Sequence, residues 1–124
     1  MIDDGKCWLC LRTTPSKILR VCHDLYDDPD LAREAGLRAA QLLRDAYLRD
    51  PAKVGGRHSR VLIASAIYLV GVLDIRLRRT QWDVAVAADT VERTVRECSR
   101  LIARALGIPS RPDEWWKLER KQVR

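Results

Sequence analysis

Residues 58 to 73 read HSRVLIASAIYLVGVL, and the stretch from Val61 to Leu73 holds no charged side chain. A helix that is apolar almost all round has no face to give to water, so it must be covered on every side. The run is longer than a typical buried strand, which is the rival reading. It is too short to cross a bilayer as a helix, which takes roughly 20 residues. The stretch therefore predicts the central helix of an all-α bundle, with the other helices arranged around it.

Working outward, the preceding loop holds Asp50-Pro51 and Gly55-Gly56, which stop one helix and separate it from the next. Upstream, Pro29 to about Leu48 carries Leu31, Ala35, Ala39, Leu42 and Ala46 at helical spacing, widened by Leu43 and Tyr47. Glu34–Arg38 and Asp45–Arg49 are expected i,i+4 ion pairs on its wet side. An earlier helix runs from Pro15–Ser16 to about Leu25, with Ile18, Leu19, Cys22, Leu25 and Tyr26 on one side. Downstream, Thr80 with Asp83 resembles a capping box and opens a short helix, Gln81 to Ala88. A fifth helix is expected from about Thr90 to Leu106, capped by Asp89 with Glu92 and stopped by Gly107 and Pro109. This divides the chain into a lead-in at 1–14, a helical domain at 15–108, and a basic, Trp-containing tail at 109–124 with a short helix near Pro112.

The 124 residues suit one domain, with 47% hydrophobic and 32% charged content and no Phe. Net charge is +6, and Arg supplies 18 of the 23 basic residues. Arginine pairs bidentately with phosphates and guanine edges, which leans toward nucleic acid. A GC-rich genome or a hot habitat would enrich Arg as well. The start, MIDDGKCWLC, is acidic and lacks a long apolar run, so a cytoplasmic protein without a secretory leader is expected.

The expected fifth helix carries the clearest functional pattern. Val91, Val95, Cys98, Ile102 and Ala105 fall on one face, and Arg93, Arg96, Arg100 and Arg104 on the other. At roughly 100° per residue, Arg93, Arg100 and Arg104 nearly superimpose, and Arg96 lies slightly aside. A short helix, a tight turn and a basic second helix make a helix-turn-helix, whose second helix enters the major groove. Arg76, Arg78, Arg79 and Lys17 would extend the basic surface. The competing reading is a solvated face laced with ion pairs.

Four stretches resemble the second, C-terminal cyclin-like repeat of the archaeal transcription factor B and eukaryotic transcription initiation factor IIB family. PSKILRVCHDL (15–25) is similar to its first-helix motif, and GRHSRVLIASAIYLV (56–70) to its central helix. RTQWDVA (79–85) is similar to R-T-Q-x-[ED]-[VI]-A, and TVERTVREC (90–98) to the start of the recognition helix. The likeness runs from Pro15 to Ile108, about three quarters of the chain, in the family's order. It implies a five-helix cyclin-like bundle whose last two helices contact promoter DNA as a helix-turn-helix. The positions it implies for DNA contact are Thr80, Gln81, Arg93, Thr94 and Arg96, to which the adjoining basic run adds Arg79 and the arginine stripe adds Arg100 and Arg104; Gly56 and Arg57 match the start of the central helix. Ser59 stands where the family has proline, and Thr90-Val91 where it has Val-Thr. The resemblance implies double-stranded, promoter-like DNA as partner, with TATA-binding protein or RNA polymerase beside it and a place at the nucleoid. A lone repeat would bind more weakly than two, and a homodimer would restore two-site binding.

No Ser/His/Asp or Cys/His constellation and no phosphate loop stands out, His23 and His58 are isolated, and no enzyme is expected. Cys7 and Cys10 form one CxxC where the family has a zinc ribbon, but a structural zinc site needs four ligands. No cofactor is expected; a disulfide or free thiols fit the pair better than zinc. Cys22 and Cys98 read as core. Trp115 and Trp116 read first as packing residues and second as a partner anchor. The alternative function is a cyclin-fold interaction module that grips a transcription partner without touching DNA.

Overall fold

The computed structural model describes residues 4–108, giving the backbone alone for 4–7. The described residues are all-helical: α1 (Asp4–Leu11), α2 (Pro15–Leu25), α3 (Pro29–Arg49), α4 (Pro51–Val54), α5 (Ser59–Leu73), α6 (Gln81–Ala87) and α7 (Glu92–Leu106). A single 3₁₀ turn, Ile75–Leu77, joins α5 to α6.

Helix α5 occupies the centre. All residues from Val61 to Val72 are buried, and α2, α3, α6 and α7 each pack against it. His58 caps its start, Nδ1 accepting from the Arg60 amide at 3.3 Å. Its end is held by close backbone packing: a Cβ on Gly71 would fall 2.7 Å from the Arg78 Cα, so only glycine fits. Arg78 locks the same junction, donating to the carbonyls of Gly71 (3.1 Å) and Val72 (3.2 Å).

The surrounding helices follow their sequence patterns. Ile18 and Cys22 are buried along α2 and Tyr26 at its C-cap, and Ala35, Ala39, Leu42, Leu43 and Ala46 along α3. The Tyr26 hydroxyl donates to the Leu77 carbonyl at 2.6 Å, tying the end of α2 to the 3₁₀ turn. Asp74 gathers Arg38 and Arg76, each at 2.7 Å, and Arg76 also reaches Glu34 at 2.8 Å. The Arg76 guanidinium, with help from Arg38 and against the cost of burial, pulls the Asp74 carboxyl down to about 2.

Several expectations are corrected. Residues Asp4–Leu11 are helical, and Leu11 is fully buried against the body. Pro51, which ends α3, also opens the single turn α4, capped by Asp50. Glu34 and Arg38 do pair, at 3.9 Å. Asp45 and Arg49 take other partners instead: Asp45 accepts from Gln41, and Arg49 donates to the Leu106 carbonyl. Helix α7 begins at Glu92, later than expected, because Asp89 adopts a left-handed φ of 57° and Val91 becomes an N-cap without a side-chain bond. Val91 is consequently 64% exposed and leaves the apolar face to Val95, Cys98 and Ile102. Gly107, with φ of 71°, ends α7 where expected. The expected tail helix, Trp115 and Trp116 lie outside the described residues.

Candidate nucleic-acid interface

Helix α7 divides cleanly between core and solvent. Val95, Cys98, Ser99, Ile102 and Ala103 are buried, while Arg93, Thr94, Arg96, Arg100 and Arg104 face outward. The apolar side seals against α5, so the arginines have nowhere to go but water. Ion pairing takes up part of this stripe. Arg93 lies 3.5 Å from Glu97 with 84% of its side chain exposed, and Arg96 lies 3.8 Å from Glu92. Such exposed pairs bind weakly and release their arginines readily. Among the described residues Arg100 and Arg104 have no carboxylate within ion-pair distance.

The arginines of the α5–α6 connection are employed differently. Arg79 stacks over the Tyr26 ring, 4.4 Å from its centre, and donates to the Arg78 carbonyl at 2.7 Å. Thr80 caps α6, its Oγ1 accepting from the Asp83 amide at 3.0 Å. Arg76 and Arg78 are bound to Asp74 and to the end of α5 as described above. The basic run there is thus largely a structural clasp. Gln81 does join the α7 stripe: its Oε1 accepts from Arg96 Nε at 3.2 Å.

Between α6 and α7 lies a cleft of about 530 Å³ that gathers Arg79, Thr80, Gln81, Arg96 and Arg100 from the expected set. Arg93, Thr94 and Arg104 lie outside it. Arg104 borders a second cleft of about 420 Å³ on the other flank of α7, with Lys53 and Arg100. The first cleft also holds Tyr68 and Ser99, which the sequence pattern did not single out. Tyr68 is mostly buried, and this raises its hydroxyl pKa against the opposing pull of a hydrogen bond with Gln81 and of nearby Arg78 and Arg96. The phenol therefore stays neutral at ordinary pH. Ser99 could have been noticed as a lone hydroxyl at the edge of an otherwise apolar face.

The cysteines play no visible part. Cys22 and Cys98 are buried, and burial pushes Cys22 up to about 12 and raises Cys98, so both stay thiols. Cys10 is a free, exposed thiol, and the side chain of Cys7 lies outside the described residues. Among the described residues no group of three or more His, Cys, Asp or Glu side chains is placed to hold a metal ion, and no helix is long and apolar enough to cross a membrane. No family model, curated protein or solved structure matches the chain.

Proposed function

We propose that the protein binds double-stranded DNA through α6 and α7, as a transcription-factor-B-like protein acting in transcription initiation or its regulation. In this reading the helices form a cyclin-like bundle, and α6 and α7 its helix-turn-helix. The observation that carries it is the two-sidedness of α7: an apolar side packed on α5 and an outward row of Arg93, Arg96, Arg100 and Arg104. Two of those four have no carboxylate partner among the described residues, which leaves them open to phosphate oxygens. The amino end of α7 adds a favourable dipole for an approaching phosphate. The family-like order of the four sequence stretches points to a promoter-like duplex.

The test is a gel-shift titration with promoter-like duplex at two salt concentrations. Replacing Arg93, Arg96 and Arg100 together by Ala should reduce affinity and flatten the salt dependence, by about 0.9 in slope for each phosphate no longer neutralised. Unchanged duplex affinity in that variant defeats the assignment.

A second reading, an interaction module that leaves DNA alone, is favoured by one observation. Trp82, Val86 and Val91 are each at least 60% exposed on α6 and the turn after it. An exposed aromatic among aliphatic neighbours is a common anchor for a protein partner. Repeating the titration with TATA-binding protein or RNA polymerase present separates the two. In this second case Trp82→Ala abolishes complex formation and the triple arginine variant does not.

A further inference from the structure

We propose that the cleft between α6 and α7 is a seat for a single phosphate group. The inference rests on the DNA reading only for one of its two sources of phosphate, a duplex backbone; a small phosphate ester is the other.

The charge balance comes first. Arg78, Arg79, Arg96 and Arg100 border the cleft against two carboxylates, Asp83 and Glu92. The positive excess is fixed in place, because Arg78 is anchored on the carbonyls of Gly71 and Val72, and Arg79 on the Tyr26 ring and the Arg78 carbonyl. These two supply potential rather than mobile hands. Arg96 and Arg100 stand one turn apart on the α7 flank. Arg96 spends Nε on Gln81 and stays loosely paired with Glu92, while Arg100 has no partner among the described residues.

The second observation is independent of charge. Ser99 lines the same cleft, next to Arg100, and is only 3% exposed. Its hydroxyl has no hydrogen-bond partner among the described residues. Buried hydroxyls are nearly always paired, because an unmet one loses its water bonds and recovers nothing. An oxyanion entering between Arg96 and Arg100 would supply the missing acceptor. Two guanidinium groups and a hydroxyl lining one cleft offer donors that suit a tetrahedral phosphate better than a flat carboxylate, which a single guanidinium satisfies edge-on.

The experiment is an NMR titration of the full chain with inorganic phosphate, with sodium chloride and sodium acetate as controls at matched ionic strength. Phosphate should shift the Ser99 and Arg100 amides along a saturating curve, and the two controls should not. Arg100→Gln should weaken phosphate about tenfold. Ser99→Ala should weaken it roughly threefold while raising the Tm of the phosphate-free protein, a pairing that a purely structural serine would not show. Lys53→Gln, on the other flank of α7, should leave phosphate affinity unchanged. If Arg100→Gln and Ser99→Ala also weaken duplex binding, a DNA backbone supplies the phosphate; if they spare it, a small ester does. Absence of a saturating shift, or an equal one with acetate, overturns the seat, and duplex binding that persists would leave the DNA reading intact. Saturable phosphate binding without duplex binding removes the DNA reading and keeps the seat.

Discussion

Helices α5 and α7 are both 15 residues long and pack against each other, yet they treat water in opposite ways. Helix α5 shows solvent almost nothing between Val61 and Val72. Helix α7 buries one side and spreads arginines over the other. The difference is one of duty. Removing apolar surface from water stabilises the fold at about 25 cal/mol per Å², so α5 is where folding free energy is concentrated. Exposed charges contribute little to stability. The outer face of α7 is therefore free to be chosen for binding.

The contrast is broken or sharpened by measurement, and the largest effect should come from α5. Leu62→Ala removes a fully buried side chain and should destabilise by about 2–5 kcal/mol in a denaturant titration. A loss near zero would mean that α5 is not the centre of the fold. Next comes the junction that follows α5. Tyr26→Phe leaves the Leu77 carbonyl without its donor and should lower stability by about 1–3 kcal/mol, read the same way.

A pH series examines the ion cluster at the same junction. The folded Asp74 carboxyl is held at about 2, below an unfolded value of about 3.9. Its contribution is fully present above about pH 4 and is lost as pH falls through about 2. Thermal melts from pH 5 to pH 2 should therefore fall less steeply for Asp74→Asn than for the parent chain. The smallest effect is expected on the outer face of α7. A double-mutant cycle on Arg93 and Glu97 should give a coupling of at most about 0.5 kcal/mol. A much larger coupling would show that this face is a structural ion network and not an open binding surface.

How far the sequence could be read follows from the same contrast. Helix α5 was legible because an uninterrupted apolar run admits few other outcomes. Helices α2, α3 and α6 were legible from Pro15, Pro29 and Thr80, whose chemistry marks helix starts. The single turn α4 was not, since four residues are too few to show a period. Helix α1 was not legible because its eight residues are too few to show a clear apolar period, and its tie to the body comes through Leu11 and Trp8. The start of α7 was not legible either, because Asp89 uses a left-handed backbone that its side chain does not announce. In the candidate site, the outward arginines followed from spacing alone. Arg79 did not, because the ring it covers, that of Tyr26, sits just past the end of α2, far away along the chain. Tyr68 and Ser99 were missed because they reach the cleft from helix sides that read as core.

The encirclement of α5 also bears on how the polypeptide can be divided. Cleavage in the open loop at Gly56, where a side chain would meet nothing within 4 Å, would send α2 and α3 into one fragment and α5, α6 and α7 into the other. Neither piece alone could wrap the greasy rod in the second. Halves made separately would regain order only by finding each other, so the molecule is built without a seam.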